Sequence, residues 1–210
     1  MNSTLKRTLV IILIIAISIG VGFAADALWS FLERKTHPTN YEEIIDRYSK
    51  EYNVPKAVIF AVVKTESDFD PNAESSAGAI GLMQMMPSTF EWLTGEEHLG
   101  EELPTSKLTD PEVSIRYGTY YLAYLRSKFT PAPTEGDTEA IASATNWDTI
   151  FAAYNAGEGN VAKWLKDPEY ADGNGGLKSI PFSETRSYVS KVNSALEMYE
   201  KLYPTEAGVS

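Results

Sequence analysis

Apolar and polar positions follow helical spacing along most of the chain, and no long stretch alternates as a β-strand does. Apolar residues recur three and four positions apart over residues 41–52, which predicts a helix with one buried face. Asn53-Val54-Pro55 interrupts this pattern, and Pro55 suits the first turn of a second helix. That helix is apolar on most sides through Val63, so we expect it at the centre of the core. The pattern predicts an all-α domain that begins near Tyr41.

Further helices are predicted near residues 87–93, from 110 onward, over 147–154 and from 183 to 202. Ser88 and Glu91 have capping-box spacing, Asp110 before Pro111 is a helix-start signal, and Ser183 can cap the last helix. The polar or Gly-rich segments 94–107, 130–145 and 167–178 are expected to be loops. An aromatic stripe on the helix after Asp110 favours packing in the core over contact with a ligand. The stripe consists of Tyr117, Tyr120, Tyr121, Tyr124 and Leu125.

The N-terminus carries an apolar run over residues 9–25, preceded by Lys6 and Arg7. This run favours an N-terminal transmembrane helix, and the basic flank places the N-terminus inside and the rest of the chain outside. A cleaved signal peptide is the alternative, because Ala25-Asp26-Ala27 offers a small-x-small site. The predicted organisation is an anchor or signal segment at 1–27, a linker at 28–40, the helical domain at 41–204 and a tail at 205–210.

Composition narrows the possible functions. The 29 acidic residues outnumber the 18 basic ones, the net charge is −11, and no basic cluster follows the N-terminus, so nucleic acid is not an expected partner. The absence of Cys excludes disulfides, thiolate metal sites and a Cys nucleophile, and the two His residues are too few for a His-based zinc site. We therefore expect no metal and no cofactor. A protein of this charge gains no long-range attraction to anionic polymers and would have to hold one by stacking and hydrogen bonds.

The stretch from 64 to 89 contains the strongest candidate chemistry. An apolar helix pattern ends at Glu66, and a loop broken by Pro71, Gly78 and Gly81 leads to another helix near Pro87. A carboxyl group between a buried helix and an irregular loop can be partly desolvated, and desolvation raises its pKa. A general acid that works near neutral pH needs such a raised pKa.

Three groups of residues resemble the motifs of one enzyme family. The first runs from Glu66-Ser67 through Ser75, Gly78-Ala79 and Gly81-Leu82-Met83-Gln84 to Met86-Pro87. The second is Ala153-Tyr154-Asn155-Ala156-Gly157, and the third is the segment around Glu184-Thr185-Arg186-Ser187-Tyr188. Together they resemble the soluble lytic transglycosylase domain of glycoside hydrolase family 23, which is similar in fold to goose-type lysozyme. The resemblance covers about residues 41–203.

This resemblance implies a lysozyme-like helical fold with a glycan cleft. It also implies an enzyme that cleaves the β-1,4 bond between N-acetylmuramic acid and N-acetylglucosamine in peptidoglycan and leaves 1,6-anhydromuramyl ends. Glu66 is the implied general acid and base. The implied substrate-binding residues are Ser75, Gln84, Met86, Tyr154, Asn155 and Tyr188. The expected partners are peptidoglycan glycan strands and, through the N-terminal helix, the bacterial cytoplasmic membrane, with the catalytic domain outside.

Two other functions remain open at this stage. A lysozyme-like hydrolase would cleave the same bond with water. A non-catalytic wall-binding scaffold would keep the fold without turnover. The nature of the reducing ends separates the first two functions, and lysis of purified wall tests the third.

Overall fold

The chain divides into two compact units, residues 1–38 and 39–210. The computed structural model describes residues 3–36, 38–130 and 145–202. Within these residues there are helices, turns and isolated β-bridges but no strand, so the all-α prediction is confirmed. Most of the predicted loop at 130–145 and the whole predicted tail lie outside the described residues.

The first unit is a single helix, α1, over Ser3–Thr36. It continues through most of the segment predicted as a linker and ends just before Pro38. Those of its apolar side chains that the structure describes are largely exposed, with Phe23 at 75% and Val21 at 63%. In the described part of the chain, no helix combines the length and apolarity required for a membrane span. The predicted helix is therefore confirmed, whereas its crossing of a membrane is not.

The second unit is built from seven described α-helices and one 3-10 helix. The α-helices are α2 Glu42–Tyr52, α3 Lys56–Ser67, α4 Pro87–Thr94, α5 Pro111–Phe129, α6 Trp147–Ala156, α7 Glu158–Trp164 and α8 Ser183–Leu202. The 3-10 helix spans Thr105–Thr109, and its start lies in the segment 94–107 that was predicted to be a loop.

Helix α3 is the centre of the core. Seven consecutive residues from Ala57 to Val63 are buried, as its nearly all-round apolar sequence predicts. Its most extensive packing is against α8, where Phe60 and Tyr199 stack with ring centroids 5.2 Å apart. Helix α2 covers α3 and α5 with the predicted face, on which Ile45 and Tyr48 are buried. The predicted interior helix is thus confirmed.

The aromatic stripe on α5 packs into the core. Tyr117 and Leu125 are fully buried and Tyr121 is nearly so, whereas Tyr120 and Tyr124 are partly buried against the same cluster. The preferred prediction for this stripe is therefore confirmed.

Helix starts agree only partly with the sequence signals. Asp110 caps α5 as predicted, because its Oδ1 accepts a hydrogen bond of 3.0 Å from the Glu112 amide. The capping-box prediction for Ser88 is wrong, since α4 is capped at Met86 without any side-chain bond and begins at Pro87. Proline at the first helical position fixes φ and needs no acceptor, so this helix starts without a polar cap. Asn146, which the sequence analysis missed, caps α6 through a 3.1 Å bond from the Thr149 amide.

Candidate functional site

Glu66 lies in the last turn of α3, where the buried helix emerges from the core. The helix ends because Asp68 adopts a left-handed conformation with φ 52°, and Phe69 follows at φ 65° with its ring buried. This reversal leaves Glu66 only partly exposed, between the core and the loop. The interior helix therefore carries this carboxyl group out to the start of the loop, as the sequence predicts.

The carboxyl group of Glu66 has an unusual titration. Burial raises its pKa from 4.5 to about 7, while an interaction with the Tyr188 hydroxyl acts in the opposite direction and more weakly. Neither of these causes is a charged neighbour, so desolvation alone accounts for the increase. A carboxyl group with this pKa holds and releases a proton near neutral pH, as a general acid and base must.

Two tyrosine hydroxyls accompany this carboxyl group. Burial raises the pKa of both Tyr154 and Tyr188 well above the ordinary value, and the negative charge of Glu66 is the second cause for each. The Tyr154 hydroxyl donates a 2.8 Å hydrogen bond to the Met83 carbonyl oxygen. The Tyr188 hydroxyl is buried and has no hydrogen bond of normal distance and angle among the described residues, although it is close enough to Glu66 to lower that pKa. We therefore regard it as facing Glu66 without a completed bond.

The loop between α3 and α4 contains two further predicted residues. Gln84 has a left-handed backbone with φ 44°, and its Nε2 donates to the carbonyl oxygens of Ala73 at 2.9 Å and Gly81 at 3.0 Å. The Ser75 hydroxyl accepts a 3.0 Å bond from the Ala79 amide and so stabilises a turn of the loop. A hydroxyl that accepts one hydrogen bond can still donate its own hydrogen. Both residues shape the loop, and no bond from Ser75 to Glu66 is seen in the part of the chain described.

Met86 and Asn155 are the exposed members of the predicted set. The Met86 side chain is 40% exposed at the start of α4. Asn155 is exposed one residue before the end of α6, and Gly157 at φ 85° turns the chain into α7. Asn155 also borders a cavity of about 480 Å³, which Phe182 and Glu184 line as well. The structure therefore gathers Glu66, Tyr154 and Tyr188, and places the other four in the loop and at helix ends.

The backbone of Leu82 and Met83 connects three helices beside the site. The Ser67 hydroxyl of α3 donates a 2.8 Å bond to the Leu82 carbonyl, and the Met83 amide donates a 3.2 Å bond to the Ser114 hydroxyl of α5. The third helix is α6, whose Tyr154 hydroxyl donates a hydrogen bond to the Met83 carbonyl oxygen. Sequence reasoning did not identify Ser114. No local signal could reveal it, because a single Ser inside a helix is usually solvated.

The described residues contain no group of three or more His, Cys, Asp or Glu side chains that could hold a metal ion. The side chains gathered at the Glu66 site can hold and release a proton and can form hydrogen bonds.

Residues 43–174 match the family model described as "Transglycosylase SLT domain", which is more than half of the chain. The chain belongs to this family. The membership agrees with the resemblance inferred from the motifs, and the matched region contains α3, the loop and α6, although not Tyr188.

Relatives with curated names agree with this membership. The soluble lytic murein transglycosylase of Escherichia coli K12 is 35% identical over 169 residues, which cover 80% of this chain and 24% of that protein. The membrane-bound lytic murein transglycosylase C of Edwardsiella ictaluri is 26% identical over 216 residues, which cover 96% of this chain and 55% of that protein. The chain thus spans about a quarter of the first of these relatives.

A solved structure supports the fold. The crystal structure of the 70-kDa soluble lytic transglycosylase of Escherichia coli superposes with a TM-score of 0.69 at 31% identity, over 83% of this chain and 26% of that one. The SLT-domain chain is therefore similar to one part of a larger enzyme.

Proposed function

We propose that this protein is a peptidoglycan lytic transglycosylase. It cleaves the β-1,4 bond between N-acetylmuramic acid and N-acetylglucosamine and forms 1,6-anhydromuramyl ends. The observation that carries the proposal is the desolvated carboxyl group of Glu66, whose pKa is about 7 without help from a charged neighbour. Membership in the SLT-domain family and the names of the relatives support the choice of substrate.

One carboxyl group is sufficient for this reaction because the substrate provides the nucleophile. Protonated Glu66 donates its proton to the glycosidic oxygen, the C1–O bond breaks, and N-acetylglucosamine leaves with a free hydroxyl group. The acetamido oxygen of the muramyl residue stabilises the positive C1. Ionised Glu66 then accepts the proton of the muramyl C6 hydroxyl, whose oxygen bonds to C1, and no water is consumed. Since the nucleophile is already part of the substrate, much of the entropic barrier is removed.

The other predicted residues receive roles that fit their positions. Tyr188 orients Glu66, and its hydroxyl stabilises the ionised form. Tyr154 forms part of the buried wall beside the carboxyl group, and Met86 and Asn155 offer exposed surface to the sugars. Ser75 donates its hydroxyl hydrogen to the acetamido group, while Gln84 lines the cleft and keeps the loop in shape.

Mass analysis of the muropeptides released from purified peptidoglycan tests the proposal. We expect anhydromuramyl products from the parent protein and at least about 10²-fold less product from Glu66→Gln, because the general acid is lost. Free reducing ends would identify a hydrolase that uses water. If Glu66→Gln released products at the parent rate, the assignment of Glu66 would be wrong. An exposed glutamate changed in the same way, Glu91→Gln, is the matched control.

We also propose that the protein is attached to the outer side of the cytoplasmic membrane through α1. The apolar side chains that α1 exposes support this attachment, as does the similarity over most of the chain to a relative named membrane-bound. We expect the full chain in the membrane fraction after a high-salt wash, and the protein without residues 1–38 in the soluble fraction. Release of the full chain by the wash would contradict the attachment.

A further inference from the structure

A half-exposed tryptophan stands on an aromatic cluster beside the candidate site. Trp92 lies near the end of α4 and is 39% exposed. Its ring makes edge-to-face contacts with two neighbours, His98 at 4.1 Å and Tyr124 at 5.1 Å between ring centroids, with interplanar angles of 69° and 79°. His98 is itself fixed by a 3.2 Å contact between its Nδ1 and the Tyr120 hydroxyl. We call Trp92, His98, Tyr120 and Tyr124 the Trp92 platform.

This arrangement differs from that of an isolated surface residue. Single exposed apolar side chains are common and need no explanation. Here edge-to-face contacts with two rings fix the indole, so its exposed part is already oriented before any ligand arrives. Binding to a fixed ring costs less conformational entropy than binding to a mobile one.

A chain of aromatic contacts links the platform to the residues around Glu66. Tyr121 connects the two, because its ring lies 6.3 Å from that of Trp92 and 5.4 Å from that of Tyr154. Tyr154 in turn interacts electrostatically with Glu66. The exposed Met86, a proposed cleft residue, is the N-cap of the same helix and comes before Trp92 in the chain.

The chemistry of the surface indicates its occupant. Sugar rings present apolar C–H faces and a polar rim, and aromatic side chains bind such faces in ligand sites. The net charge of −11 gives the protein no general attraction to anionic polymers, so stacking and hydrogen bonding are the interactions left to it. A long glycan strand that reaches Glu66 also extends on either side of the bond that is cut.

We propose that Trp92 stacks on a sugar residue of the glycan strand outside the bond attacked by Glu66, and so favours long strands over short fragments. This inference rests on the proposed function. Trp92 is a binding residue, and the proton transfers at Glu66 do not require it.

The test measures binding by the full chain in detergent with Glu66→Gln in place, so that no substrate is consumed. The probes are chitin oligosaccharides of two and six sugars, with affinity measured by calorimetry. We expect Trp92→Leu to weaken six-sugar binding about tenfold and to leave two-sugar binding unchanged. Trp147→Leu is the matched control, since Trp147 is half-buried against a single ring, Phe151, at the far end of α6 from Tyr154. Equal six-sugar affinity in the parent and Trp92→Leu, or an equal loss in the Trp147→Leu control, would overturn the proposal.

A second measurement does not depend on the fold of the leucine variant. Six-sugar ligand is expected to change the tryptophan fluorescence of the parent, and Trp92→Phe, which keeps an aromatic ring, should lose that change while keeping affinity within about threefold. An undiminished fluorescence change in Trp92→Phe contradicts stacking on Trp92. Muropeptide release by the chain with Glu66 intact is measured separately. Anhydro products together with no effect at Trp92 refute only this inference, whereas absent products refute the proposed function.

Discussion

At the scale of single residues, the Glu66 carboxyl group is placed where its ionisation opposes folding. Burial raises its pKa to about 7 in the folded chain, against 4.5 for an unperturbed glutamate. Between these two values the folded state binds more protons than the unfolded state, so the stability contributed by this group falls as pH rises. Ionisable groups whose pKa is shifted at the expense of stability are common at functional sites.

Glu66→Gln should therefore stabilise the protein more at high pH than at low pH. The neutral amide removes the desolvated charge, and the gain in free energy of unfolding should grow from pH 4.5 to a plateau above pH 7 of about 3 kcal/mol, given 1.36 kcal/mol per pKa unit. Urea unfolding at pH 5 and pH 8 measures this gain. The exposed Glu91→Gln should show no such growth. A gain that is the same at both pH values would show that Glu66 is not desolvated.

Tyr188→Phe should change the pH dependence as well as the rate. The hydroxyl of Tyr188 lowers the pKa of Glu66, so without it burial acts unopposed and that pKa rises above about 7. Because the proposed reaction starts from protonated Glu66, the alkaline limb of kcat/KM should move to higher pH. The lost orientation should lower kcat about tenfold or more. A pH series of muropeptide release, with Tyr170→Phe in the 167–178 loop as control, measures both effects. If the rate fell but the alkaline limb stayed at the same pH, Tyr188 would have only a structural role.

At the scale of elements, the loop between α3 and α4 is positioned by close contacts with the 3-10 helix and with α5. A Cβ atom at Gly118 would lie 2.3 Å from the Met83 sulfur, and one at Gly81 would lie 2.0 Å from the Leu108 carbonyl oxygen. These approaches allow the Met83 backbone to reach both Ser114 and Tyr154. The position of the loop that follows Glu66 thus depends on Gly118 in α5, although glycine destabilises the interior of a helix.

Gly118→Ala should destabilise the protein, although alanine is the better helix former. The added methyl group overlaps buried Met83, and overpacking of a core costs about 1–3 kcal/mol. Gly159→Ala in α7 is the matched control, because nothing lies within 4 Å of its Cβ position, and it should be neutral or stabilising by about 0.5–1 kcal/mol. Chemical unfolding measures both variants. Equal stabilisation by the two substitutions would contradict the tight contact at Met83.

At the scale of the whole molecule, charge works against long-range attraction to the substrate. With 29 acidic and 18 basic residues, the protein should approach anionic wall polymers without electrostatic steering. Added salt screens repulsion as well as attraction, and the Debye length shortens from about 30 Å at 0.01 M to about 10 Å at 0.1 M.

Binding of Glu66→Gln to purified sacculi should accordingly stay constant or increase between about 0.01 M and 0.1 M salt. Sedimentation of the bound fraction measures this, with a strongly basic wall-binding protein as the contrasting control. A large fall in binding as salt rises would show that a cationic surface holds the glycan, and would contradict binding by stacking and hydrogen bonds.

Much of the fold could be predicted because its signals are local. The apolar periodicity of α2, the all-round apolar α3 and the Asp110–Pro111 start of α5 each depend on neighbours within a few positions, and each is confirmed. The start of α4 shows the limit of such signals, since the Ser88 capping box has correct spacing but Pro87 begins the helix. Spacing alone cannot tell which of two competing start signals the backbone uses.

The sequence by itself determined that the chain is helical, that α3 is interior and that Glu66 lies where this helix ends, because these properties follow from residues adjacent in the chain. Only the tertiary structure decided the pKa of Glu66, the approach of Tyr154 and Tyr188, and the connection of Met83 to Ser114. The physical reason is that desolvation is a property of an enclosed volume. The walls around Glu66 come from segments far apart in the chain, and only their packing removes water from one carboxyl group.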